Sequence, residues 1–526
     1  MATQQLPHGD SAGTFLGHPK GLFMLFFAEM WERFSYYGMR ALLIFYLTKH
    51  WLYSDSEAGL IYGAYTALVY ITPVVGGYLA DRYLGQRKAV LFGAVLLTLG
   101  HFFMAFEGEP AAGSTDNPVI YVFWLALALI IVGSGFLKAN ISVIVGQLYP
   151  RTDVRRDGAY TIFYMGINLG AAIGSLLCGY IGETYGWSYG FGLAGIGMLM
   201  GLVVFVWGKP LLLGRGEPPK PLAKGTEWSM YGAGLVLVGL CWLAIQYQSM
   251  VGWLLLVFGG ALVAYVLFTA VFKLAAEERD RILAALFLII TSIVFWALFE
   301  QAGSSLNLFT DRHVDRGGVP ASVFQSINAI YIILLAPIFA TMWTVMGRKG
   351  IEPSTPFKFG LAVVQVGLGF LVLVWGASSV GIDVPTPVIF IFLIYLLHTT
   401  GELCLSPVGL SAMARLAPAH MASLIMGVWF FASATGNFAA GLIAAATGAE
   451  GVGEEAGKQV VLDVYSTVGW FAIGVGVVVL VISPLIKKLM HIDTLQDDTV
   501  GDDLAGQAEG PGEPQGAGIH PAPRPN

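Results

Sequence analysis

The stretch Glu29-Met30-Trp31-Glu32-Arg33-Phe34-Ser35-Tyr36-Tyr37-Gly38-Met39-Arg40 lies inside an apolar block that runs from about residue 22 to 48. A block of that length suits a membrane span, since roughly 20 apolar residues in a helix cross a hydrocarbon core about 30 Å thick. Charges inside a span cost several kcal/mol each on insertion scales, so they face a polar interior and mark substrate or proton paths. At about 100° per residue, Glu29, Glu32, Arg33, Tyr36, Tyr37 and Arg40 fall within an arc of roughly 140°. One face of this helix is therefore polar, and it needs other helices around it.

The rest of the chain supplies them. Of 526 residues, 56% are hydrophobic and only 12% charged, and the mean hydropathy is +0.70, whereas charged residues make up about a quarter of a soluble domain. Apolar blocks near 22–48, 57–80, 88–106, 118–147, 157–182 and 187–208 read as six spans. A stretch rich in Gly, Pro and Lys follows, then two further spans near 230–247 and 252–274. Six more fit near 282–309, 322–347, 357–378, 387–415, 420–447 and 464–488. The layout is six, two, six, an all-α membrane protein. Arg82, Arg87, Lys88, Arg151, Arg155, Arg156, Lys209, Lys224, Arg348, Lys349, Lys487 and Lys488 fall on the side shared by the even-numbered loops. The other side carries chiefly Lys49, Arg312, Arg316 and Lys458, so the even loops and both termini are expected to be cytoplasmic. The N-terminus up to Gly17 has no basic stretch followed by a short apolar run and a cleavage site, as a removable signal peptide would need, so the first block is expected to remain as a span. The tail from Asp493, rich in Gly, Pro, Asp and Glu, is expected to be disordered. Most of the acidic excess sits there, so the net charge of −6 points to no nucleic-acid partner. Cys178, Cys241 and Cys404 are widely spaced in apolar segments and suggest neither a disulfide framework nor a metal site.

Seven ionisable residues lie well inside the spans: Glu29, Glu32, Arg33, Arg40, Lys138, Glu300 and Glu402. Any one of them has the bland reading of an ion pair that holds helices together, but a merely structural bundle coheres through small residues and packing rather than through a set of charges. Polar stripes recur at helical spacing: Tyr164 and Asn168; Trp296 and Glu300; Gln325, Asn328 and Tyr331; Trp429, Ser433 and Asn437. These read either as the lining of one cavity or as packing with hydrogen bonds across interfaces. Bases come from the N-terminal half (Arg33, Arg40, Lys138), and Glu300 and Glu402 come from the second. A ligand with one negative and one positive end, such as a short peptide whose termini lie roughly 5–10 Å apart, suits that asymmetry. Four acids against three bases leave one carboxylate as a candidate proton carrier. A membrane enzyme would need a nucleophile–base pair or metal cluster, and the sequence has no His-Glu-x-x-His and only scattered histidines. A channel would need a repeated pore loop, which is equally lacking.

Gly77–Lys88, GYLADRYLGQRK, resembles the loop between the second and third helices of the major facilitator superfamily, in which an acid and basic residues latch helix ends. The stretch from Glu29 to Gly38 resembles the E-x-x-E-R-F-x-Y-Y-G signature of the proton-dependent oligopeptide transporters. Phe163-Tyr164-Met165-Gly166-Ile167-Asn168-Leu169-Gly170 is similar to that family's fifth-helix signature. Phe295-Trp296-Ala297-Leu298-Phe299-Glu300-Gln301 and Gly401-Glu402-Leu403-Cys404-Leu405-Ser406-Pro407 look like its seventh- and tenth-helix motifs.

The resemblance implies a major-facilitator-type bundle: a segment 1–20, a six-helix half over 21–209, a linker with two extra helices over 210–281, a second half over 282–490, and a tail over 491–526. It implies a proton-coupled importer of di- and tripeptides, working by alternating access as a monomer in a bacterial inner membrane, with no cofactor beyond the proton gradient. Arg33 and Lys138 would hold the peptide carboxylate; Glu402, with Asn168 and Asn328, the amino end. Tyr36, Tyr37, Tyr70, Tyr164, Trp296 and Trp429 would form pockets and gates, with Ser406 and Ser433 in the substrate site. Glu300 would be the protonation switch, pairing with Arg33 when ionised, and Glu29 and Glu32 would tune Arg33. Gly63 stands where animal members carry a histidine, so the carboxylates would do more of the coupling. His398, one turn before Glu402, could share that task or simply pack. The family also includes carriers of nitrate and other small anions, a less favoured alternative because such ligands give Glu402 no cationic partner.

Overall fold

The computed structural model describes residues 13–106, 108, 117–150, 153, 155–218, 220–448 and 454–492. The acidic tail from Asp493 and the first twelve residues lie outside them. Six long helices form the first half: α1 Lys20–Phe45, α2 Asp55–Leu79, α3 Gln86–Met104, α4 Val119–Gln147, α5 Arg156–Tyr185 and α6 Trp187–Trp207. Local sequence sets their ends. At α2 the Ser54 hydroxyl accepts from the Glu57 amide and the Glu57 carboxylate accepts from the Ser54 amide, each at 3.2 Å, a reciprocal cap. The fifth-helix stretch packs by its small residues: a Cβ on Gly170 would crowd the Met30 carbonyl, one on Gly174 the Phe34 carbonyl and one on Gly166 the Phe26 ring, all on α1. Small residues four apart let two membrane helices approach this closely.

Helices α7 Lys224–Gln246 and α8 Gln248–Lys273 form the intervening hairpin. The former packs on α4 and α2, the latter on α14 and α9, so the hairpin leans on both halves. The second half comprises α9 Ala276–Phe299, continued through a tight turn at Glu300–Gly303 into α10 Ser305–His313, then α11 Ser326–Arg348, α12 Thr355–Val380, α13 Ile389–Leu416, α14 Ala422–Ala446 and α15 Glu454–Leu489. Among the described residues, thirteen helices are long and apolar enough to cross a membrane by length and composition. Helix α1 is outside that set because of Glu29, Glu32, Arg33 and Arg40, so its fourteenth place rests on its packing against α5 and α6. The six-two-six layout read from the sequence is observed. Helix α15 starts ten residues before the expected 464, because its polar first turns are held by Lys458, whose ammonium donates to the carbonyls of Gly381 at 3.2 Å and Val384 at 2.7 Å.

The halves meet at the end that carries the odd-numbered loops. Helix α2 lies on α14, where a Cβ on Gly63 would come within 2.6 Å of the Gly441 Cα. Ser56 donates to the Ala445 carbonyl at 2.8 Å, Asn307 to the Ala41 carbonyl at 3.2 Å, and the Ser322 amide to Glu183 at 2.7 Å. Asp55 takes both guanidinium nitrogens of Arg312, at 2.5 and 2.8 Å, and Lys49 reaches Asp311 at 2.7 Å. This conformation is closed at the odd-loop end.

At the opposite end the loop over 77–88 does not latch by its own charges, a correction to the sequence expectation. Asp81 accepts from Gln86 at 2.8 Å, while Arg87 pairs with Glu217 at 2.5 Å and Lys88 with Glu227 at 2.8 Å. The linker thus clasps the start of α3, with the Arg87 amide donating to the Gly216 carbonyl at 2.8 Å. The Arg87 hydrogen bond is the chief reason the Glu217 carboxyl sits below its usual range. A depressed folded-state value stabilises the clasp above the unfolded carboxyl pKa of about 4.3 and is lost as pH falls through the lower folded value. Exposure of Glu217 lets salt screen this contribution. Glu217→Gln should therefore raise hydrogen exchange at the Arg87 and Gly216 amides at neutral pH, and that difference from wild type should shrink as the pH falls through the folded-state value.

Candidate functional site

The charged stripe of α1 faces the bundle interior in two groups. In the first, the Arg33 guanidinium donates from Nε to Glu29 Oε1 at 2.6 Å and lies 3.3 Å from Glu32. Helix α4 brings Lys138, whose Nζ is 3.8 Å from Glu32 Oε1 and 3.5 Å from the centroid of the Tyr36 ring. All four ionisable side chains are 0% exposed. Two acids and two bases balance in charge, which a fully desolvated group requires.

The second group lies two turns farther along α1. Seven residues of helix return to nearly the same face, so Arg40 occupies the same stripe as Arg33. Its Nε donates to the Tyr62 hydroxyl at 2.5 Å, its guanidinium lies 5.8 Å from the Tyr37 ring, and it forms an ion pair with Glu300 across the two halves. The expected Glu300–Arg33 pairing is corrected here: the ion partner of Glu300 is Arg40. The sequence places both arginines on one face of α1, and only the level at which α9 ends against that face selects between them. Glu300 opens the tight turn between α9 and α10, and the Tyr62 hydroxyl sits where a side chain on Gly303 would be.

In the second half Asn328 of α11 donates its amide to Glu402 Oε2 and to Thr399 Oγ1, both at 3.0 Å, tying α11 to α13. Trp296 is buried on α9 with its ring edge-on to Phe295 and Phe299. Trp429 is fully buried within this half, against Phe359 and Gly409. Ser433 donates to the Trp429 carbonyl at 3.3 Å, and Ser406 is buried on α13. On α5 the Asn168 amide donates to the Tyr164 carbonyl at 3.2 Å, and Tyr70 is buried on α2. His398 donates from Nε2 to the Val366 carbonyl at 3.1 Å and packs among Phe299, Phe370 and Gly369, the plain packing role.

The structure thus joins Glu29, Glu32, Arg33, Lys138 and Tyr36 in one cluster, Arg40, Tyr37, Tyr62 and Glu300 in a second, and Asn328, Thr399 and Glu402 in a third. Sequence reasoning missed Tyr62 and Thr399. Tyr62, Thr66 and Tyr70 recur every four residues on α2, a stripe of the kind recognised on other helices. Thr399 offers no comparable signal, because its partner is on another helix.

Comparison with known proteins agrees over most of the chain. A sequence profile described as the POT family matches residues 87–456. An uncharacterized transporter of Bacillus subtilis is 36% identical over 495 residues, covering 90% of this chain and 96% of the relative. A peptide transporter of Yersinia enterocolitica is 37% identical over 460 residues, 82% of this chain and 88% of the relative. A di-/tripeptide transporter of Lactococcus lactis is 34% identical over 508 residues, covering 91% and 97%. Among solved structures, the peptide transporter POT in complex with sulfate superposes with a TM-score of 0.78 at 36% identity, covering 91% of this chain and 97% of that one. A POT family transporter in complex with a thioalcohol-conjugated peptide gives 0.76 at 33% identity, covering 90% and 98%. The protein is a membrane transporter rather than an enzyme, and it belongs to the POT family.

Proposed function

We propose that the protein imports di- and tripeptides together with protons, by rocking one six-helix half against the other around a site between them. The halves in this reading are residues 21–209 and 282–490, with 210–281 as the linker and hairpin. The even-loop end and both termini face the cytoplasm of a bacterial inner membrane, and the working unit is a monomer. Three observations support a zwitterionic ligand: bases Arg33 and Lys138 on the first half, a carboxylate Glu402 held ready by Asn328 on the second, and peptide transport in the named relatives. The peptide carboxylate goes to Arg33 and Lys138, and its amino end to Glu402 with Asn168 and Asn328. Tyr36, Tyr37, Tyr70, Tyr164, Trp296, Ser406, Trp429 and Ser433 shape the site and its gates.

The observation that carries the coupling is the Arg40–Glu300 ion pair, buried between halves that are otherwise joined at the odd-loop end. Protonating Glu300 removes one charge of that pair, so it favours separation of the halves there. Losing the proton on the other side restores the pair. Glu29 and Glu32 hold Arg33 and Lys138 in place and trade them to the peptide carboxylate. Proton and peptide binding are then linked, each raising the affinity for the other.

Uptake of labelled dialanine into proteoliposomes, with and without an inward proton gradient, tests this reading. The wild type should accumulate dialanine only with the gradient. Arg33→Ala removes a charge-assisted contact worth about 1.5–3 kcal/mol, and binding should weaken by roughly 10–100-fold. Flux of dialanine that ignores both the gradient and Arg33→Ala would refute the assignment.

A further inference from the structure

The first half contains a second set of buried polar groups that neither the ion clusters nor helix packing accounts for. His101, on α3, is fully buried, and neither ring nitrogen has a hydrogen-bond partner among the described residues. The same holds for the hydroxyls of Ser134 on α4 and Tyr65 on α2, both fully buried. A polar group left dry and unpaired costs about 1–3 kcal/mol, and apolar replacements of the same shape avoid that cost. Buried polar atoms in native proteins are almost always satisfied, by ordered water where no protein group serves. Three such residues in one six-helix half therefore point to a hydrated interior.

Their placement gives that interior a direction. Helices α3 and α4 cross with Gly133 against Leu97 and Gly100 against Ile130, so His101 and Ser134 each adjoin this contact. Ser134 lies one turn from Lys138 on α4, and Lys138 is the charged group that acts on His101 electrostatically. Tyr65 is within electrostatic range of Glu32 and Tyr36. His101 itself is three residues from the end of α3, about 5 Å along the axis from the odd-loop face. Helix α6, also packed on α3, offers only the exposed Tyr189 as an ionisable group. From α1 the inward-facing ionisable groups are Glu29, Glu32, Arg33, Tyr36, Tyr37 and Arg40, and from α2 Tyr62, Tyr65 and Tyr70. The junction between the halves is sealed at this end by the Ser56, Asn307 and Asp55 contacts described above, whereas a path inside one half is independent of that seal.

We propose that His101 and Ser134, with Tyr65, line a hydrated chain through the N-terminal half that carries protons between the odd-loop face and the Glu29–Glu32–Arg33–Lys138 cluster. The imidazole accepts a proton on one nitrogen and releases one from the other. Each passage leaves a neutral ring in the alternate tautomer, restored by reorientation, and consumes no co-reactant. This deepens the coupling reading above and rests on it.

The test compares wild type with His101→Leu and Ser134→Ala in proteoliposomes, by gradient-driven dialanine uptake and by dialanine counterflow at equal pH. Delivery of protons should limit only the first. His101→Leu should slow it by about tenfold or more while counterflow stays within about twofold, in line with what a positioned proton-transfer group contributes. Unchanged gradient-driven uptake, or a parallel fall in both assays, overturns the proposal. Water-edited solid-state NMR of wild type carrying ¹⁵N-histidine gives a readout independent of transport, with His101→Leu identifying the signal. The His101 ring should receive polarisation from water as quickly as exposed histidines do; a dry ring overturns the proposal. If wild-type uptake ignores the proton gradient, the coupling reading falls by itself, and the NMR result still decides whether the chain is hydrated.

Discussion

Replacing Glu300 by Gln is expected to abolish proton-driven accumulation while leaving peptide exchange. For one proton per peptide, a gradient of one pH unit sustains about a tenfold concentration ratio, since one pK unit is 1.36 kcal/mol. Gln cannot take up or release the proton, so the ratio should fall to about one. The same change leaves the Arg40 guanidinium without its carboxylate in a buried place, and breaking a buried pair from one side costs about 3–5 kcal/mol. Tyr62 and Tyr37 still contact Arg40, which moderates that cost. The penalty falls on the conformation in which the odd-loop end is closed, so exchange persists at an altered rate. A double-mutant cycle with Arg40→Gln isolates the pair. Accumulation by Glu300→Gln at the wild-type ratio would remove Glu300 from the coupling, and additive effects of the two substitutions would dissolve the pair.

Replacing Gly63 by Leu should be as damaging for a different reason. A Cβ alone at this position would stand 2.6 Å from the Gly441 Cα and 3.0 Å from the Gly441 nitrogen. Both obstacles are backbone, so neither can rotate away. Overpacking of this kind costs about 1–3 kcal/mol, and Leu adds three further carbons to the same gap. Because α2 meets α14 across the two halves, the cost is borne only while this end is closed. A penalty of 1.4 kcal/mol shifts that equilibrium tenfold, so the population should move by about 10–100-fold toward an open odd-loop end, with uptake lost in proportion. Spin labels at Leu52→Cys, just before α2, and Leu442→Cys, on α14 beside Gly441, both half-exposed, should report a longer distance in Gly63→Leu. Gly63→Ala should give a smaller shift in the same direction. An unchanged distance distribution together with normal uptake would show that α2 and α14 do not gate access.

That glycine also illustrates how far one sequence reads. Its lack of a side chain was legible as the absence of the histidine that animal members carry at this place on α2, which placed the coupling burden on the carboxylates. Its positive reason, contact with a glycine 378 positions away on α14, has no local signature. The same division applies to the loop over 77–88. Its basic residues are plain in the sequence, yet their partners Glu217 and Glu227 belong to a linker whose course is a matter of tertiary packing.

The solvent, the number and order of the spans, the polar face of α1 and the set of buried charges were all legible from the residues alone. They are legible because hydrophobic length and the 3.6-residue period are local properties, and because a charge in a membrane span is costly enough to declare itself. Which charges meet depends on packing between helices. Arg33 and Arg40 share one stripe at two-turn spacing, and their roles separate only where α9 ends and α4 delivers Lys138. The closed odd-loop end, and the burial of His101 and Ser134 away from any hydrogen-bond partner among the described residues, were likewise set by how helices far apart in sequence come to lie side by side.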